Sequence, residues 1–294
     1  GVITIGISGN TTETGACVLN SSGAGLASYT SLIIKPTADG VTIAGPALTG
    51  RGLIELNGAD NVTIDGDNAG TAGINRNLTI TNTATATTTF TMAIRVATST
   101  LITTADNISI KNCIINGNAT GRNISTANSS TGSENNTYGI YVSGGASTTA
   151  VTTAPNAISS LTTTAASGQT ANNFTVDNCQ ISACSKGIAF HGAATSVCNA
   201  LTITNNVIGD ATPNNSTTIY TQGISAQGFT TASIKSNTIR NIDGWVGSST
   251  GSNIVCGIAL GNVSANGLGA VVEKNVIQHV YCRNTGTWPS CGIF

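Results

Sequence analysis

Charge is scarce in this chain. Asp, Glu, Lys and Arg together make 8% of the residues, against roughly 25% in an ordinary soluble domain. Lys and Arg number 11 and Asp and Glu 12, for a net charge of -1. No basic stripe exists to attract a phosphate backbone, so no nucleic-acid partner is expected. Long apolar runs are also missing. None approaches the length of about 18 residues that a membrane span requires. No charged segment followed by an apolar core opens the chain, so a signal peptide is read as absent or already removed. Aromatics are 4% and Met is a single residue. Leu, Lys and Glu are too few to offset the weak helix propensity of Thr, Asn, Ser and Gly, so long helices are disfavoured. Disorder is disfavoured too, because short Ile and Val clusters recur throughout.

What is present is a repeat. A Gly-Ile phrase occurs as Tyr138-Gly139-Ile140-Tyr141-Val142, Lys186-Gly187-Ile188-Ala189-Phe190 and Gln222-Gly223-Ile224-Ser225-Ala226. It returns as Cys256-Gly257-Ile258-Ala259-Leu260 and Cys291-Gly292-Ile293-Phe294, with Gly52-Leu53-Ile54 and Ala93-Ile94 as weaker copies. A second phrase alternates with it: an apolar-polar-apolar strand, a polar turn holding Asn or Cys, then Ile. Its copies include Ile108-Ser109-Ile110…Cys113…Ile115, Phe174-Thr175-Val176…Cys179…Ile181 and Leu201-Thr202-Ile203…Asn206…Ile208. Two more are Ile234…Asn237…Ile239 and Val272…Asn275…Ile277, with upstream versions at Val62-Thr63-Ile64 and Leu78-Thr79-Ile80. Strands this short cannot build a sandwich core. Stacked coil on coil, each pairs with its equivalent above and below. The spacing therefore predicts an all-β chain: a parallel β-solenoid of roughly eight coils, each with three short strands.

In that register Asn206, Asn237 and Asn275 share one turn position and are expected to form a structural ladder of stacked amides. Residues 1–294 read as a single β-helix domain. Segments near 117–137 and 143–172, rich in Ser, Thr, Asn and Ala, read as insertions that bulge outward as loops. The chain stops inside a Gly-Ile strand, with no cap. It is therefore expected to continue in a longer chain or to self-associate end to end.

These phrases together resemble the right-handed parallel β-helix repeat of the pectin-lyase-like superfamily, over about residues 50–294. A narrower likeness covers Val2-Thr4-Ile5, Ser31-Leu32-Ile33-Ile34-Lys35-Pro36, Leu56-Asn57-Gly58-Ala59-Asp60-Asn61-Val62-Thr63-Ile64-Asp65-Gly66 and Asn77-Leu78-Thr79-Ile80-Thr81-Asn82-Thr83. It is similar to large secreted surface proteins of Bacteroidota. That resemblance implies an extracellular, cell-surface, structural or adhesive role, with surface glycans as candidate partners. It does not say that the fold is catalytic.

Catalysis on this fold would need carboxylates close together in one outward column. The columns read from the repeat are Glu55, Arg95, Tyr141, Ala189, Ser225, Ala259 and Asn57, Ala97, Ser143, His191, Gln227, Gly261. Neither holds two carboxylates. His191 reads as a surface histidine, and Glu55 with Arg95 as a cross-strand ion pair. On the other sheet the outward pairs are read as Thr63/Asp65, Thr79/Thr81, Ser109/Lys111, Thr175/Asp177, Thr202/Thr204, Ser233/Lys235 and Val271/Glu273, a ladder too interrupted by charge for ice binding. Asp65-Gly66-Asp67-Asn68 lacks the spacing and the closing Glu of a calcium loop. No His/Cys cluster has zinc spacing. No catalytic residue, cofactor or metal site is assigned.

Eight Cys point to an oxidising compartment, with buried free thiols as the alternative. Stacked equivalents lie about 4.8 Å apart, within disulfide range. The candidate disulfides are Cys113 with Cys179, Cys256 with Cys291, and Cys184 with Cys198 closing a loop. Cys17 and Cys282 fall near opposite ends and are candidates for an intermolecular bond. A Cys282–Cys291 bridge is also open. The leading reading is a non-catalytic structural or adhesive β-helix of an extracellular, fibre-like assembly. The alternatives are a polysaccharide-active enzyme or carbohydrate-binding module on the pectin-lyase-like fold, and a piece of a phage-type tail spike.

Overall fold

The computed structural model describes all of residues 1–294 except 86–89, 118–136, 145–149, 154–156, 159–164, 196, 213–217, 245–253, 262–264 and 283–289. Among the described residues there are 24 strands and no helix. All the strand pairs are parallel, and each strand pairs chiefly with its equivalents one coil away. The 24 strands are therefore eight coils of three, as the repeat predicts, and the fold is a right-handed parallel β-helix. A right-handed return is the sense that nearly all parallel crossovers take.

Three faces run along the stack. The first is an 8-stranded sheet from Val2–Ile7 through Val62–Asp65 and Thr175–Asp177 to Ala270–Glu273. The second carries the short strands Thr11–Thr12, Val41–Gly45, Leu78–Asn82, Cys113–Asn116 and their successors. The third carries the Gly-Ile strands, among them Arg51–Asn57, Thr91–Thr98, Cys184–His191 and Ile219–Gln227. The second and third faces join into one 16-stranded sheet at Thr238–Gly244. Ile239 there pairs with Ile208 of the second face, and Ile242 with Ile219 of the third.

The register lines up branched side chains as columns, one column per face. The first face stacks Ile64, Ile110, Val176, Ile203, Ile234 and Val272. The third stacks Ile94, Ile140, Ile188, Ile224 and Ile258, all fully buried. β-branched residues suit this pleated stacking, and truncating one to Ala costs about 2–5 kcal/mol. One assignment differs from the sequence reading. Leu78-Thr79-Ile80 lies on the second face, where Thr79 pairs with Thr42 and Ile114. The Thr79/Thr81 pair therefore does not belong beside Thr63/Asp65. The phrase looks alike on both faces because both bury alternate residues.

The Gly of the Gly-Ile phrase has a steric cause. A Cβ on Gly187 would lie 2.7 Å from Ile208 Cγ2 and 2.6 Å from the Gly223 carbonyl oxygen. The same clash recurs at Gly223, against Ile239 Cγ2 at 2.5 Å. The third face thus passes its backbone directly against the isoleucine column of the second.

Asparagine makes the corners. Asn61, Asn107 and Asn173 hold φ of 59°, 59° and 54°, and Asn112, Asn178 and Asn205 hold 56°, 50° and 58°. Asn tolerates this left-handed region, which most residues avoid. The first set also stacks: Asn107 Nδ2 donates to Asn61 Oδ1 at 2.9 Å, and Asn173 Nδ2 to Asn107 Oδ1 at 2.7 Å.

A separate ladder runs inside the core. Asn206 Nδ2 donates to Asn237 Oδ1 at 3.0 Å, and Asn237 Nδ2 to Asn275 Oδ1 at 2.9 Å. Each Nδ2 also reaches a strand carbonyl, that of Val176, Ile203 or Ile234. Each Oδ1 accepts the backbone N–H of the residue one coil back, that of Cys179, Asn206 or Asn237. Cys179 and Cys113 continue the column toward the N-terminus. The Cys179 thiol, a weak donor, lies 3.6 Å from the Ile110 carbonyl one coil back, as the amides do further along, while the Cys113 thiol turns to the Lys111 carbonyl of its own coil at 3.2 Å.

Candidate functional site

The outward side of the third face is where the sequence places any chemistry. Its column is in register: Glu55 pairs with Arg95, Arg95 with Tyr141, Tyr141 with Ala189, and Ala189 with Ser225. Yet it is not a surface. Glu55, Arg95, Tyr141, Lys186 and His191 are all 0% exposed. The surface reading of His191 is overturned. So is the outward bulge of the 143–172 insertion, whose described parts lie down on this face. Ile158 N–H donates to the Gly50 carbonyl at 3.0 Å, and Ala165 N–H to the His191 carbonyl at 3.0 Å. Ile158 packs with Met92, Tyr138, Tyr141 and Ala189, and Phe90 joins them. Gln169 Oε1 accepts from Thr98 Oγ1 at 3.0 Å. The 117–137 insertion, apart from its ends, lies outside the described residues, as do Trp245 and Trp288.

Under this cover the polar groups pair with one another. Glu55 Oε1 is 2.8 Å from Arg51 Nη2 and 3.4 Å from Arg95 Nη1. Its other oxygen accepts the Gly52 N–H at 3.3 Å. Burial pushes the Glu55 carboxyl up and the Arg95 guanidinium down, and each one's charge opposes the shift of the other. A buried pair of this kind is costly to break, because the survivor keeps an uncompensated charge. Lys186, in the neighbouring column, is lowered to about 8 by burial, with the Cys256 thiol opposing the shift.

A Ser–His–Tyr sequence also crosses this face. Ser225 Oγ lies 3.5 Å from His191 Nε2, and Tyr141 Oη lies 3.5 Å from His191 Nδ1. The order matches nucleophile, base and orienting group. Both distances are long. The Tyr141 and His191 rings meet edge to face with centroids 5.3 Å apart, and Tyr138 meets Tyr141 likewise at 4.8 Å. A cavity of about 10 Å³ beside His191, Thr98 and Cys198 has room for about one water. As packed, the trio links three neighbouring strands of the third face side by side, all of them buried.

The outward side of the first face is the opposite case. Thr63, Ser109, Thr175, Thr202 and Ser233 form one column, all partly exposed. Beside it Lys111 pairs with Asp65 at 3.1 Å, Thr204 Oγ1 donates to Asp177 at 2.6 Å, and Lys235 pairs with Glu273 at 2.9 Å. The Asp65–Asn68 turn spends its oxygens internally. Asp65 Oδ1 accepts from Asp67 N–H and Asn112 Nδ2, and Asp67 Oδ1 from Asn75 N–H. Among the described residues no group of three or more His, Cys, Asp or Glu is placed to hold a metal ion.

All eight cysteines are free thiols. Cys256 and Cys291 are register partners. Cys113 and Cys179 contact each other in the core column, and the hydrogen bond between them, together with burial, keeps the Cys113 thiol well up. The Cys184–Cys198 loop closure does not fit the geometry. Cys184 begins the strand Cys184–His191, while Cys198 bridges Phe229 beyond the far end of the adjacent strand. A strand of that length, at about 3.3 Å per residue, separates them by far more than a disulfide spans. Cys17 lies in the first coil and Cys282 in the eighth.

The cover left a signal in the sequence. Thr91–Thr98 is buried at every position, and outward places of the third face hold Met92, Tyr138, Tyr141, Ala189 and Ala259. Strands apolar on both sides are strands packed on both sides.

Fold and site together define a parallel β-helix with one sheet packed on both sides. No family model and no curated protein matches the chain. Among solved structures it is similar to the Dettilon tailspike protein (gp208), at 12% identity and a TM-score of 0.44, over 98% of this chain and 42% of that one. This chain thus spans less than half the length of that protein, and a likeness at this level carries no functional meaning.

Proposed function

We propose that this chain is a structural, adhesive β-helix of an extracellular, cell-surface or fibre-like assembly. The observation that carries the reading is the sealing of the third face. The side on which a β-helix enzyme would display acid and base is spent on internal pairs under the 143–172 segment. What reaches solvent on the first face is a regular column of small hydroxyls beside paired charges, suited to contact more than to proton transfer. The resemblance of the N-terminal repeats to secreted surface proteins of Bacteroidota points the same way. Surface glycans are the proposed adhesive partners.

Stacking along the solenoid axis belongs to the same reading. At the first coil Ile5, Ile7, Leu19, Ile34, Ile43 and Ile54 border an open cavity of about 290 Å³. This apolar edge would be covered by a further coil of the same or another chain. The test pairs electron microscopy with assays on glycan arrays and acidic polysaccharides. Fibres or stable glycan binding without chain cleavage are expected. Release of shortened or unsaturated sugars by the wild type, lost in His191→Ala, would replace this reading with the enzymatic one.

A further inference from the structure

Cys256 and Cys291 stand apart from the other cysteines. They face each other in register on the neighbouring parallel strands Cys256–Leu260 and Cys291–Ile293. Adjacent strands lie about 4.8 Å apart, inside the Cα range of about 4.4–6.8 Å that a disulfide accepts. Their exposure is asymmetric: Cys256 is sealed, and Cys291 is partly exposed. They close a polar column that runs through Lys186 and Gln222. Lys186 is close enough for its charge to act on the Cys256 thiol, and Gln222 hydrogen-bonds that thiol.

We propose that Cys256 and Cys291 form a redox-active dithiol that closes, by exchange with an external disulfide, into a covalent staple between the seventh and eighth coils. Cys291 is the attacking thiol. The hydrogen bond it receives from Cys256 holds it down to about 7, whereas that bond and burial push Cys256 far up. An accessible thiolate beside a protected partner is the arrangement that supports exchange.

The step balances. The Cys291 thiolate attacks one sulfur of a small-molecule disulfide. The external S–S bond breaks, and one thiolate leaves and takes up the proton that Cys291 had released. A mixed disulfide remains on Cys291. Cys256 then attacks the Cys291 sulfur, and its proton passes to the second leaving thiolate. Two protein thiols are oxidised to one disulfide, and one external disulfide is reduced to two thiols.

Cys113 and Cys179 supply the internal comparison. They are stacked in the same way, but both are sealed and both thiols are turned to backbone carbonyls. Exchange should therefore leave them reduced while the protein stays folded.

The experiment treats the folded chain with oxidised glutathione, blocks the remaining thiols with an alkylating reagent, and maps the peptides by mass spectrometry. A Cys256–Cys291 linkage is expected, with Cys113 and Cys179 recovered alkylated only after unfolding. Cys256→Ser should stall at a glutathione adduct on Cys291, and Cys291→Ser should give neither adduct nor linkage at these positions. Without any variant, Cys291 should alkylate at least about tenfold faster than Cys113 or Cys179. A lasting glutathione adduct on wild-type Cys291, a linkage between other cysteines, or an unreactive Cys291 would overturn the proposal.

Discussion

The outward sides of the first and third faces share one repeat, one rise and one set of turn residues, and they end in opposite environments. On the first, hydroxyls and paired charges reach solvent. On the third, Glu55, Arg95, two tyrosines, a lysine and a histidine lie at 0% exposure, and Ile158 and Ala165 of the 143–172 segment bond to the Gly50 and His191 carbonyls. The difference shows that in a solenoid the period determines the stack, and the excursions between strands determine which side of it is surface. It also changes what each polar group costs. A charge on the first face keeps most of its water, whereas a charge on the third survives only through its partners.

Mutations can break this comparison. Glu55→Ala would leave Arg51 and Arg95 facing each other on the covered side. It should cost about 3–5 kcal/mol in denaturant unfolding, while Lys235→Ala on the open face should leave the midpoint unchanged within error. Equal effects would mean that the cover does not exclude water. Tyr138→Ala removes a fully buried ring from the same side and should cost about 3–4 kcal/mol, at the low end of the range for large aromatics.

Lys186 sharpens the contrast through pH. Its folded value of about 8 lies below the ordinary 10.5, so the folded state holds this proton less tightly than the unfolded one. Its contribution is present above 10.5 and is lost as pH falls through about 8. As pH rises across that window, wild type should therefore gain up to about 3 kcal/mol relative to Lys186→Met, because each tenfold difference in proton affinity is worth roughly 1.4 kcal/mol. A flat difference would show that Lys186 is solvated.

Asn237→Ala tests the core column at the corner between the first and second faces. It strands the Asn206 N–H and the Ile203 carbonyl, and should cost about 2 kcal/mol. Thr202→Val, on the open column, should change stability by less than about 0.5 kcal/mol.

Much of the architecture was legible because the period is strict. Glu55, Arg95, Tyr141, Ala189 and Ser225 could be aligned from the Gly-Ile phrase alone, since a one-residue slip would turn the isoleucines out of the core. The stacked corner amides of Asn61, Asn107 and Asn173 were not legible, because Asn is frequent in turns throughout the chain and only some of its copies stack. Leu78–Ile80 was misplaced because alternation marks a half-buried strand without saying which face it joins. The candidate site was least legible, since the segment that covers it carries no repeat.

The sequence by itself determined the solenoid, its coil number and the register of its columns. Those follow from the spacing of Gly, Ile and Asn, which leaves one alignment that turns the isoleucine columns into the core. Only the tertiary structure decided that the third face is interior, that Cys184 and Cys198 lie at opposite ends of a strand, and that Cys256 is sealed while Cys291 meets solvent. Burial depends on what lies on top of a strand, and no periodicity within the strand records where a distant loop comes to rest.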